Sequence, residues 1–197
     1  MAVFKFYNLQ LLALDTDSHG EVGKEGYRRL FQNLATRMQS AKDDMALERV
    51  SGSLVNDFYF APFEVEIKEN YAQGKFIKFD QVASVHNLYT EEDEFKGGKG
   101  STSKRYGFPF VFDFESHTLA IQRKRGLPSV NQLMKVLGDV IVPVSQTVFP
   151  EYQLSIREMT SAQSLEKVFN AEYYKRVKVD VTFSNSADLD DALLGKV

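Results

Sequence analysis

FVFDFESHTLAIQRKRG, Phe110–Gly126, decides how the chain reads. Two apolar strands fold back on each other around Glu115-Ser116-His117, and the second finishes in three consecutive cations, Arg123, Lys124 and Arg125. Past this hairpin, Ser129 precedes Val130, Leu133, Met134, Leu137 and Ile141 at helical spacing. Gln132 stands at the third helical position, where it completes a capping box. Pro143 is expected to end that helix. YQLSIRE then reads as a strand, and Thr160 with Gln163 repeats the capping-box spacing before a short helix carrying Leu165, Val168 and Phe169. KRVKVDVTF alternates strictly, with Val177, Val179, Val181 and Phe183 on one face. The second half is therefore β-β-α-β-α-β, with right-handed crossovers expected for its helices.

Working back from the hairpin, Val3–Leu14 reads as a central strand, apolar on nearly every residue of its second half and so expected to be covered on both faces. Tyr27, Leu30, Phe31, Leu34 and Met38 then recur at helical spacing opposite Arg28, Gln32 and Arg37. LVNDFYF, FEVEIK and KFIKFD supply three short strands of a meander, broken at Pro62 and at YAQG. Asn87–Lys104, with acidic TEEDE and then FKGGKGSTSK, has almost nothing apolar to anchor it and reads as a mobile loop. The fold class is α+β: a mixed, mostly antiparallel sheet with amphipathic helices packed on it. Residues 1–184 form one domain, subdivisible at the loop into 1–86 and 105–184, and 185–197 are an acidic tail whose closing LLGKV reads as a frayed end or the start of a further segment.

A chain of 197 residues buries roughly 70% of its unfolded surface and needs no covalent staples. It contains no cysteine, which removes disulfides, thiolate zinc sites and cysteine nucleophiles. No apolar run is long enough for a bilayer, and MAVFKFYNLQLLALD lacks the charged start and cleavage site of a signal peptide, so a cytoplasmic protein with no membrane span is expected. The net charge of −3 argues against a wholly basic coat for nucleic acid, although a local patch matters more than the total.

Several motifs invite chemistry. GGKGST, Gly97–Thr102, suggests a phosphate loop, but Gly100 follows Lys99 where Ser or Thr is needed, and a strand rather than a helix comes next. DTDSHG, Asp15–Gly20, matches the first half of a calcium loop, whose twelfth position is Gly26 instead of Glu. The residues His19, His86 and His117 have no ligating or triad spacing and read as surface residues. No nucleophile elbow surrounds any serine. Neither a metal nor another cofactor is expected.

Glu64, Glu66 and Lys68 alternate on one strand, the arrangement with which a metal-dependent nuclease could hold a divalent ion; the same alternation marks any solvated strand face. The basic clusters are more informative. Lys96, Lys99, Lys104 and Arg105 precede the hairpin and Arg123, Lys124 and Arg125 close it, so pairing of 107–114 with 118–125 would gather seven cations beside the helix starting at Val130. A helix start adds partial positive charge and free N–H donors, which suits phosphate.

FPFVFDFESHTLAIQRKRGLPSVNQLMKVL, with the strands FKFYNLQLLAL and KRVKVDVTF, resembles a loosely related group of bacterial and prophage proteins that includes the phage-exclusion sensor of the Rex system. The resemblance implies a protein of phage defence or abortive infection that associates with DNA, as an oligomer. Double-stranded DNA is the expected nucleic acid, and a second copy of the chain or a partner protein the other expected partner. Carried over by residue, it supports only the basic hairpin end. The expected function is a nucleic-acid-binding sensor or regulator, more readily than an enzyme. The alternatives are the nuclease on Glu64, Glu66 and Lys68, and a protein-interaction module whose sixteen phenylalanines serve partly as exposed anchors, with Phe58, Tyr59 and Phe60 as its marker.

Overall fold

The structure, a computed structural model, describes residues 2–15, 20 and 22–159. The expected helix at Leu165–Phe169, the strand KRVKVDVTF and the tail lie outside these residues, as does His19. The described residues belong to one compact unit, Met1–Met159.

The architecture is α+β. Strand β1 (Phe4–Ala13) leads to helix α1 (Lys24–Asp43), a 3-10 turn at Leu47–Val50, and strands β2 (Gly52–Ser53), β3 (Tyr59–Ile67) and β4 (Tyr71–Phe79). A small hairpin, β5 (Ser84–His86) with β6 (Asp93–Lys96), is followed by β7 (Arg105–Asp113), β8 (Thr118–Gln122), helix α2 (Val130–Val148) and β9 (Tyr152–Glu158). The main sheet has the order β2-β3-β4-β7-β8-β1-β9, with every neighbouring pair antiparallel. β8 and β9 are therefore parallel to each other, with α2 joining them and β1 inserted between them, so that β1 is an inner strand one place from the β9 edge. β4 and β7 pair along their full length across the segment that separates them in sequence.

The inner face is written in strand parity. Tyr7, Leu9 and Leu11 of β1, Phe108, Phe110 and Phe112 of β7, and Leu119 and Ile121 of β8 are all essentially buried. α1 lays Tyr27, Leu30, Phe31, Leu34 and Met38 on this layer, the face its spacing predicts, and Phe31 stacks on Phe112 at 4.5 Å between ring centres. α2 adds Leu133, Val136, Leu137, Val140, Ile141 and Val144, and touches β9 at one end of the strand order and β2 at the other. Its capping box forms as expected: the Ser129 N–H donates to Gln132 Oε1 at 3.3 Å.

Four readings are corrected. Pro143 does not end α2, which continues to Val148. The buried face carries on through Val144 and Ser145, and that packing outweighs the hydrogen bond proline cannot give to the preceding turn. Pro62 does not separate two strands, for β3 runs through it. The register to β4 shifts between Pro62 and Glu64, a bulge of the kind where a missing N–H is tolerated. Asn87–Lys104 is not wholly loop: β6 lies within it, paired to β5. β1 is not covered on both faces, since Phe6 is 48% exposed and Phe4, Leu12, Val111 and Met159 also show on the outer side. Register places Phe6, Ala120 and Val111 in one row there.

His117 is a fifth correction. It is buried, not a surface residue, and its ring lies 4.2 Å from that of Tyr27 with Nδ1 unpartnered among the described residues. Burial lowers its pKa below the ordinary 6.5, with Glu115 and Asp113 opposing. The unfolded chain then binds the proton more tightly, so this contribution to stability is present above the ordinary histidine range and is lost as pH falls through the folded value. The denaturant midpoint should therefore drop as the pH falls below the ordinary histidine value of about 6.5. His117→Asn, which accepts the positive φ of 53°, should flatten that drop; a variant as steep as the wild type would assign the pH dependence to other groups.

Candidate nucleic-acid interface

The β7–β8 ladder runs from Asp113 opposite Thr118 to Phe110 opposite Ile121 and stops there. Arg125 is thus not paired with Gly107. The chain instead follows β1, with Gln122 opposite Phe4 and the Arg123 N–H donating to the Val3 carbonyl at 2.8 Å. It then turns: the Leu127 N–H donates to the Lys124 carbonyl at 3.2 Å, and Gly126 takes a φ of +89°, the third position of a type II turn. A Cβ at Gly126 would stand 2.8 Å from the Tyr106 ring, so backbone and ring fix where the turn sits.

This geometry presents Arg123, Lys124 and Arg125 in succession, all exposed, at the mouth of a groove of about 720 Å³ lined also by Val3, Lys5, Leu127 and Ser129. None of the three forms an ion pair among the described residues. The first turn of α2 opens beside them, with its N-terminal partial charge. Two lysines that the sequence did not single out adjoin the turn. Lys5 belongs to the groove but is neutralised by Glu158 at 2.6 Å. Lys78 Nζ reaches the Gly126 carbonyl at 3.5 Å. Only strand register reveals either of them. Opposite Glu158 in the ladder, the Tyr7 hydroxyl is buried, and burial first and the Glu158 charge second push its pKa up to about 12.

The other four cations are placed differently. Lys96 pairs with Asp93 at 3.1 Å, and Lys99 Nζ donates to the Asp44 carbonyl at 2.7 Å. The Arg105 guanidinium lies 4.3 Å from the Phe63 ring centre, on the sheet face opposite to Tyr106 by parity along β7. Lys104 is exposed with no ion pair among the described residues, while its N–H donates to Asp80. The structure thus joins the fixed triplet and leaves Lys96, Lys99 and Arg105 in other company.

Asp80 organises the glycine-rich loop. Its carboxylate accepts from the Thr102 and Ser103 hydroxyls and from the N–H groups of Ser103 and Lys104 at 2.8 and 2.9 Å. Burial alone would raise this carboxyl, and the hydrogen bonds, Ser103 foremost, outweigh it and hold the group well below the usual aspartate range. Asp80→Ala should speed amide exchange at Ser103 and Lys104 about 10-fold or more, because four donors lose one acceptor; unchanged protection would mean the loop is held by other contacts. The loop leads into β7, not into a helix, so it lacks the context of a nucleotide-binding loop.

The carboxylates of the nuclease alternative are engaged. Lys75 Nζ bridges both oxygens of Glu64 at 2.8 and 2.9 Å, and Glu66 accepts from Lys68 and, at 2.7 Å, from Gln73. The hydrogen bond from Lys68 first, then that from Gln73, holds Glu66 below its ordinary range. Among the described residues no group of three or more acidic, histidine or cysteine side chains is arranged to hold a metal. Phe60 is fully buried and Phe58 and Tyr59 half-buried, which withdraws the surface named for a protein-interaction module.

A family model, Domain of unknown function (DUF4747), matches residues 5–195. The chain belongs to that family. The DUF4747 match spans both described helices and every described strand but for the first residue of β1, so the turn after β8 lies well inside it. No curated protein and no solved structure matches the chain. No described helix is long and apolar enough to cross a membrane.

Proposed function

We propose that the protein binds nucleic acid through its phosphate backbone, with Arg123, Lys124 and Arg125 as the contacts and Lys104 as an outlying cation. The observation that carries this reading is the run of three exposed cations, without ion pairs among the described residues, held on a fixed turn beside a helix start. Backbone contacts of this kind position a protein without reading sequence. Double-stranded DNA is the nucleic acid we propose, in keeping with the DNA association that the sequence resemblance implies. The setting we propose, a sensor or regulator of phage exclusion acting as an oligomer, rests on the sequence resemblance alone. The test is fluorescence anisotropy with two duplexes of unrelated sequence at low salt: comparable binding of both supports the reading, and no binding of either discards it.

A second reading, a protein-interaction module, draws on the outer sheet face, where Phe4, Phe6, Val111 and Met159 are exposed together. If copies associate there, Phe6→Glu should lower the mass seen by sedimentation. A monomer with or without the substitution removes self-association by that face.

A further inference from the structure

The outer side of β3, β4 and β7 carries a second, smaller core. Ala61, Ile77 and Phe79 are buried there, with Leu47, Tyr59 and Phe63 packed against them. Register explains the grouping: Tyr59, Phe79 and Arg105 share one row, and Ala61, Ile77 and Gly107 the next. The bulge after Pro62 then brings Phe63 to the same cluster. The end of α1, the 3-10 turn and the loop Lys99–Thr102 stand around this patch and leave a cavity of about 280 Å³, near the small end of the range for ligand pockets.

Its floor is apolar: Leu47, Phe63, Ile77 and Phe79. Its rim is cationic, with Lys42, Lys99 and Arg105. Lys42 Nζ and the Arg105 guanidinium each lie 4.3 Å from the centre of the Phe63 ring. Their remaining partners are neutral, since Lys42 donates to the Phe63 carbonyl at 3.3 Å and Lys99 to that of Asp44. No ion pair among the described residues involves any of the three. Two carboxylates line the cavity, Glu48 and Asp80, and Asp80 is saturated by the loop it pins. Lys42, Lys99 and Arg105 bring like charges to one rim, and an anion seated in the cavity offsets their mutual repulsion.

We propose that this cavity binds a small organic carboxylate with an apolar body, aromatic or short aliphatic. The body rests on Leu47, Ile77 and Phe79, and the carboxylate takes the fork of Arg105 with Lys42 or Lys99 completing its charge. A planar guanidinium matches a carboxylate with two parallel hydrogen bonds. A nucleotide fits less well, because Gly100 follows Lys99 and the loop runs into a strand. The site shares no residue with the triplet Arg123–Arg125, so it stands or falls apart from nucleic-acid binding.

The experiment is calorimetric titration of the full chain with 2-naphthoate and with its neutral amide, 2-naphthamide. The acid should bind at least 10-fold more tightly than the amide. Arg105→Met, which keeps an apolar stem at an exposed position, should weaken the acid at least 10-fold and leave the amide unchanged. Lys42→Met should act in the same direction, and the Arg123, Lys124 and Arg125 triple alanine variant should bind naphthoate as the wild type does. Absence of naphthoate binding at millimolar concentration, equal affinity for acid and amide, or full affinity in Arg105→Met would each overturn the proposal.

Discussion

Replacing Arg123, Lys124 and Arg125 together by alanine is expected to abolish most of the salt dependence of duplex binding. Each neutralised phosphate contributes about 0.9 to the slope of log affinity against log salt, so three contacts give a slope of about −2.7. Between about 50 and about 200 mM salt that slope weakens wild-type binding about 40-fold. The triple variant should bind weakly at low salt and lose little more as salt rises. The loss should be the same for duplexes of any sequence, because no base edge is read. Lys99→Ala and Arg105→Ala should leave the slope unchanged, since these side chains engage Asp44 and Phe63 on another part of the surface. A triple variant with the wild-type slope would remove the turn after β8 from the interface.

The second large effect belongs to Gly74. A Cβ at this position would lie 1.8 Å from the Glu64 carbonyl oxygen and 3.0 Å from the Phe110 ring. β3 and β4 approach here so closely because the bulge after Pro62 turns the Glu64 carbonyl toward β4. No rotamer relieves a clash between Cβ and backbone, so Gly74→Ala must push β3 away or shift the register. We expect a loss of about 3 kcal/mol or more, which for a chain of this size lowers the melting temperature by about 6–12 °C. Gly98→Ala, where a Cβ meets nothing within 4 Å, is the control and should melt close to the wild type. A Gly74→Ala protein as stable as the control would mean that β3 and β4 do not come together as described.

Local signals were legible in the sequence, and long-range ones were not. The buried face of α1 and the Ser129–Gln132 capping box depend only on neighbours three or four residues away, and both are found. Pro62 and Pro143 misled because a proline's effect depends on whether its missing N–H would have met a partner. Pro62 falls at a bulge, and in α2 the packing beyond Pro143 carries the helix on. His117 looks like a turn residue until Tyr27 arrives from α1 to cover it. The seven cations form one cluster only if the hairpin ladder extends to its base. It stops at Phe110, and the chain beyond Ile121 leaves for β1, separating Arg125 from Arg105. Asp93, the Asp44 carbonyl and the Phe63 ring then engage three of the cations, and no spacing rule announces those partners.

The insertion of β1 between β8 and β9 sets the order in which the protein can be made. Tyr7 pairs with Leu119 on one side and with Glu158 on the other, so β1, the first described strand, waits for β9, the last, before both its ladders close. At about 5–20 residues per second the intervening chain takes roughly 7–30 s to appear. Until β8 is made, Phe4, Phe6, Leu9, Leu11 and Leu12 form an apolar ribbon with neither neighbouring strand, and until β9 follows they have a partner on one side only. Pairings this distant along the chain also slow spontaneous refolding. Newborn chains should therefore lean on chaperones at β1, and the yield of folded protein should follow the speed of translation across residues 118–158.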